Sequence, residues 1–268
     1  MITKAYDIVV GDGAAPAPGR PASLPAGWAG PQGPSINPLT WPRSPRTGQP
    51  MHHRFTLWLP AEYRRRGGDL VAVSVFQWCD AYYWRGPADP GTATAAHPHL
   101  QLADDGVDQV FALLWLTEAE YSGPRTARPA PAAPPVDGED DPDGVPPRHA
   151  PLGAVWLAER DDPHAGVDPA DFDEDEDDDE DDDADERYEV FGMEHLGGTV
   201  MSPNGPREGL SPWYLEVNRL GGVNHGGDRD IAFDLASAQM LGGMSSHIRY
   251  AAPYVDGAGR ECGSAPAG

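Results

Sequence analysis

The sequence predicts a mostly β protein, with α+β as the alternative, built of antiparallel sheets in two similar halves with long Pro/Gly-rich and acidic disordered insertions. Three observations predict it. Glycine (32) and proline (30) are abundant among 268 residues of which 39% are hydrophobic, about twice their usual share, a composition of turns and short strands. The apolar residues fall in short runs with strand-like alternation. Segments of a single composition, first Gly/Ala/Pro and later Asp/Glu, separate those runs.

Residues 1–35 read as an extended or disordered arm, because Gly11 to Pro34 is largely glycine, alanine and proline with Trp28 as its one aromatic anchor. A single β-rich domain is expected over 36–255. Phe55, Leu57 and Leu59 alternate, which predicts a strand over 54–59. After the polar turn Arg64-Arg65-Arg66-Gly67-Gly68-Asp69, the run Leu70 to Cys79 carries β-branched and aromatic residues on both faces, as a strand buried on both sides does. Val107 to Thr117 is read as a strand too, with helix left open. From Ser122 to Ala150 the chain is too rich in proline and charge to bury a core, so 122–150 is expected to be flexible. Leu152 to Glu159 predicts another strand, followed by an acidic interruption over 160–187. Order is expected to return at Tyr188-Glu189-Val190-Phe191. Trp213, Leu215 and Val217 share one face of a strand, a glycine-rich turn covers 220–228, and 230–235 is its partner strand. His247 to Ala251 is expected as a final edge strand, and 256–268 as a loose tail.

The formal net charge is −24, and 14 carboxylates lie between Asp171 and Glu186. Without that run the remainder stands at −10. A field of this sign disfavours nucleic acid and anionic membrane surfaces, and favours a basic protein partner. The acidic run reads as a solubilising tether or a partner contact; weak nonspecific divalent cation binding by 171–186 is the most its unfixed carboxylates support. Cys79 and Cys262 are too few to staple the chain. With no apolar core of signal-peptide length near the N-terminus, the expected location is cytoplasmic.

No motif carries a reaction. The glycine turn 221–227 lacks the lysine of a phosphate loop. His52 and His53 are adjacent, which on a strand sends their side chains to opposite faces, and His97 and His99 have no further partner at metal-ligand spacing. Neither a Gly-x-Ser-x-Gly elbow nor an identifiable carboxylate pair is present. No catalytic, cofactor or metal residue is therefore assigned, and the protein is expected not to be an enzyme. His225, Asp228, Asp230, His52, His53 and Trp41 are the candidate ligand or partner contacts. Trp41-Pro42 and Pro50-Met51 also read as packing pieces at a strand entrance.

Two stretches carry a resemblance. Leu39-Thr40-Trp41-Pro42-Arg43, Gly48-Gln49-Pro50-Met51 and Phe55 to Leu59, followed by Leu70 to Cys79, form the first; Trp213 to Val217, Gly221 to Gly227 and the strand 230–235 form the second. Together, over about a third of the chain, they resemble the bacterial YwqG-like family of uncharacterised proteins. Trp58 and Glu216 stand where family members tend to carry glutamine. The resemblance implies a fold of two similar halves, no established enzyme activity, and frequent company with bacterial toxin or cell-conflict loci. The expected function is a noncatalytic protein-binding protein, immunity-like or accessory, whose acidic surface meets a basic partner such as a toxin or a particle subunit. Two alternatives stand beside it: an assembly subunit of a larger particle using extended arms, and a small-ligand protein or enzyme using the 220–228 loop.

Overall fold

The computed structural model describes residues 4–11, 19, 24–45, 48–79, 96–104, 109–130, 151–169, 194–200, 209–223, 231–244 and 247–253. Among them run twelve strands: β1 (Ala5–Val10), β2 (Gly27–Ala29), β3 (His52–Trp58), β4 (Leu70–Cys79), β5 (Leu100–Asp104), β6 (Gln109–Thr117), β7 (Gly153–Arg160), β8 (His195–Leu196), β9 (Tyr214–Val217), β10 (Ile231–Asp234), β11 (Met240–Met244) and β12 (His247–Pro253). The protein is mostly β, as expected. The single α-helix among the described residues, α1 (Glu118–Ser122), begins where β6 ends. Thr117 and Glu120 form a reciprocal capping box there, which ends the strand and starts the turn.

The strands form one curled antiparallel sheet in the order β1-β7-β2-β3-β4-β6-β5-β12-β11-β10-β9-β8, and β8 pairs with β1 to close the ring. The two halves of the chain supply the two sides: β2 to β6 lie together, β8 to β12 lie together, and β1 and β7 join them along one flank. The joints are thin. β8 gives two residues to each neighbour, and β12 meets β5 through Ala252↔Asp104 and Pro253↔Ala103.

Register explains why β3 and β4 are apolar on both faces. Phe55, Val75 and Leu113 form one row across β3, β4 and β6, and Leu57, Val73 and Trp115 form the next. This face looks into the ring, because Phe111 on β6 meets Phe233 on β10 with ring centroids 5.6 Å apart across the interior. The outer face carries Thr56, Ser74 and Phe76, and it too is covered: Trp28 and Trp41 pack over it with Tyr121 of α1, which touches both Trp28 and Trp58.

Several expectations change. Within 1–35, Ala5–Val10 and Gly27–Ala29 are strands; β2 lies between β3 and β7, and a Cβ on Gly27 would collide with the Thr56 carbonyl, so glycine permits the close approach. The start of 122–150 is fixed to the sheet, since Thr126 bridges to Gly33 and Arg128 donates to the Pro50 carbonyl at 2.9 Å. The start of 160–187 is likewise held, through Asp162. β12 is not an edge strand, having neighbours on both sides. The expected return of order at 188–191 and the tail 256–268 lie outside the described residues.

Candidate functional site

The candidate contacts described by the structure converge on the start of β3. Trp41 follows a one-turn 3-10 helix over 38–40 and is 2% exposed. Its indole N–H donates to the Met51 carbonyl at 2.9 Å and its ring meets Phe76 edge-on. Gly33 lies against it so closely that a Cβ there would fall 2.7 Å from the indole. Trp41 is thus a plug under the 30s loop, which corrects its reading as a partner contact: no partner reaches a side chain this buried.

His53 is 3% exposed and bonded through both nitrogens. Nδ1 lies 2.6 Å from the Gly30 carbonyl, which only accepts, so Nδ1 carries the proton. Nε2 then accepts from the Thr56 hydroxyl at 2.8 Å, and Thr56 in turn meets Ser74 at 2.5 Å. Burial lowers the His53 pKa to about 4, so the ring is neutral near pH 7. His52 stacks on Trp78 with an interplanar angle of 11°, and its Nδ1 accepts from Arg128 at 3.0 Å. Burial first, then the charges of Arg128 and Arg54, lower its pKa to about 2. Both imidazoles are therefore neutral, with both nitrogens of His53 and Nδ1 of His52 bonded inside the protein. Such rings hold a strand in place; they are poorly suited to accept a proton or ligate a metal. No group of three His, Cys, Asp or Glu able to hold a metal occurs among the described residues.

Between His53 and Phe55 the register with β4 slips, leaving Arg54 at an irregularity of β3. Its guanidinium donates to the Gln77 amide at 3.0 Å, both side chains being buried. The glycine-rich turn sits on the backbone of the same residue: Gly221 has φ +64, and a Cβ there would run into the Arg54 carbonyl. The beginning of the 220–228 loop is thus placed one residue from His53. His225, Asp228 and Asp230 lie outside the described residues.

A second polar cluster, on the outside of β1, β8 and β9, was not singled out from the sequence. Arg160 pairs with Asp7 at 2.6 Å and with Asp162 at 2.8 Å. Asp162 also accepts the backbone N–H groups of His164 and Thr199 and the Thr199 hydroxyl. Burial alone would raise its pKa; the two N–H groups and the Arg160 charge outweigh that and hold it low. Nearby, His195 and Glu216 face each other in full burial. No local signal marks these residues, because their partners lie 21 to 153 positions away or belong to an acidic stretch that reads as solvated.

The placement of charge revises the electrostatic reading. Among the described residues 11 are Lys or Arg and 13 are Asp or Glu, a net of −2 against −24 for the chain. The folded sheet is nearly neutral, and the acidity belongs to the other segments, foremost 171–186. No helix among the described residues is long and apolar enough to cross a membrane. No family model matches the chain, and neither a curated protein nor a solved structure matches it.

Proposed function

We propose that the protein is a noncatalytic binding protein whose acidic segments, above all 171–186, engage a basic protein partner. The partition of charge carries this reading: the described residues of the sheet sum to −2, while 14 carboxylates fall in the 16 residues 171–186 of the same chain. Long single-sign runs repel themselves, remain accessible, and draw oppositely charged proteins at rates that fall with added salt. The burial of His52 and His53, with their lowered pKa values, fits a scaffold role better than acid–base chemistry. A cytoplasmic location, and an immunity-like or accessory role of the kind the YwqG-like resemblance implies, belong to the same proposal.

The test is capture of partners from the native host by two proteins, the natural chain and a variant with the Asp and Glu of 171–186 changed to Asn and Gln. The proposal expects a stoichiometric basic partner that the variant fails to retain at equal thermal stability. Recovery of no such partner, or retention by the variant, would count against it.

A further inference from the structure

The three arginines that the sequence offers as a polar turn form a cap over one end of the ring. Each lies on a different tryptophan: the guanidinium carbon of Arg64 is 4.8 Å from the ring centroid of Trp58, that of Arg65 is 3.8 Å from Trp213, and that of Arg66 is 4.7 Å from Trp115. The turn is built to present them. A 3-10 turn over 61–63 buries Tyr63, whose hydroxyl donates to the carbonyls of Lys4 and Leu196, and Gly67 reverses the chain at φ +148. None of the three has a carboxylate of the described residues within ion-pair distance, in a chain of net charge −24. Their polar contacts are neutral: Arg64 donates to the carbonyls of Leu59 and Gly68, and Arg66 to the Ala236 carbonyl at 3.3 Å and the Gln101 side-chain oxygen at 3.4 Å.

Beneath Arg66 the deficit of acceptors deepens. Gln101 on β5 opposes Leu113 on β6, so it shares the inward face with Leu113 and Trp115 and lies diagonally beside Trp115. Gln101 is 5% exposed and Trp115 2% exposed; the Gln101 amide Nε2 and the Trp115 indole Nε1 are both buried and neither has a hydrogen-bond partner. A buried donor left unpaired costs about 1–3 kcal/mol, so two within reach of one guanidinium call for an acceptor. A water could serve one donor but leaves the arginine charge uncompensated. An anionic oxygen would supply an acceptor and a counter-charge together.

We propose that this end of the ring is a binding site for a small oxyanion, a carboxylate or phosphate group, held by the Arg66 guanidinium and by the buried N–H groups of Gln101 and Trp115. Arg65 and Arg64 add positive potential around it. Arg66 is exposed and long enough to turn off the indole with the anion, so the two buried donors are reached by the movement of one side chain.

Indole 15N labelling reports the site directly, because each of the eight tryptophans gives one N–H signal and Trp115→Phe identifies that of Trp115. The natural chain is titrated with inorganic phosphate, with acetate, and with chloride at matched ionic strength. The Trp115 signal is expected to move saturably with phosphate or acetate and not with chloride; the tighter of the two names the source of the anion. Arg66→Gln is expected to weaken that binding at least about tenfold with an unchanged melting temperature, and Gln101→Leu to weaken it less. A Trp115 signal that stays fixed, that responds equally to chloride, or that titrates identically in Arg66→Gln overturns the proposal.

Discussion

His195 and Glu216 face each other across β8 and β9, with Nε2 and Oε2 3.2 Å apart and side chains 0% and 1% exposed. This pair sits at a thin joint of the ring, where β8 contributes two residues to each neighbour and His195 also opposes Asp7 on β1. Removing one partner of such a pair strands the other in a dry site at a cost of about 3–5 kcal/mol, whereas replacing both with apolar groups is far milder. Urea unfolding should therefore show Glu216→Ala strongly destabilised, and His195→Leu/Glu216→Leu less destabilised than the sum of its single variants. A double variant equal to that sum would mean the two side chains are not coupled.

Gly221 gives a second prediction. A side chain there meets the Arg54 carbonyl and must adopt a left-handed conformation, so Gly221→Ala should lose more than the roughly 1 kcal/mol of an ordinary strained position. Gly68, with open space where its Cβ would lie, is the comparison: Gly68→Ala should leave the melting temperature within a degree or two of the natural chain. Equal tolerance at both positions would contradict the close packing of the glycine turn on β3.

What could be read in the sequence follows from how each element is stabilised. β3, β4, β6, β7, β9 and β10 are visible because their apolar residues alternate or run together, and the run Leu70 to Cys79 announces burial on two faces. β2 is not visible: Gly27-Trp28-Ala29 is three residues in a glycine-proline stretch, held by neighbours on both sides. β8 is two residues long and exists only through its partners. The polar cores follow the same rule. His52 and His53 are conspicuous as a pair, but their roles depend on Arg128, 76 positions from His52, and on a glycine carbonyl 23 positions before His53. Charge misleads where it is pooled, because the acidity of the chain lies mostly outside the described sheet.

Acid should destabilise the protein over two overlapping pH ranges. His52 and His53 have pKa values lowered, chiefly by burial, to about 2 and about 4. A lowered histidine pKa means that the unfolded chain binds protons first, so stability is full above about pH 6.5 and falls below it, by up to about 1.4 kcal/mol per pH unit for each histidine. The His53 contribution is lost by about pH 4. Asp162 acts with the same sign at lower pH: its lowered carboxyl pKa contributes stability that is full above its ordinary value of 3.8 and is lost as the pH falls from there through its folded value. Urea midpoints from pH 7 to pH 3 should show His53→Gln with a shallower slope between 6.5 and 4 and the natural slope below that. An unchanged slope in the upper window would place the titrating group elsewhere.

Trp41 separates packing from recognition. Because its ring fills the space between Gly33 and Phe76 under the 30s loop, Trp41→Ala should cost about 3–5 kcal/mol, and Trp41→Phe markedly less. Any loss of partner binding in these variants should follow the loss of folded protein, measured by melting temperature in the same samples. A Trp41→Ala protein of natural stability that no longer bound a partner would return Trp41 to the contact surface.

The proposed function places recognition in the acidic run, with the sheet as a nearly neutral scaffold. Deleting 171–186 and measuring both the melting temperature and the affinity for a captured partner by calorimetry tests it most directly. The expected result is an unchanged melting temperature with affinity lost, and in the natural chain an affinity that falls steadily as salt rises. A deletion variant that binds as tightly as the natural chain, with the same response to salt, would contradict it.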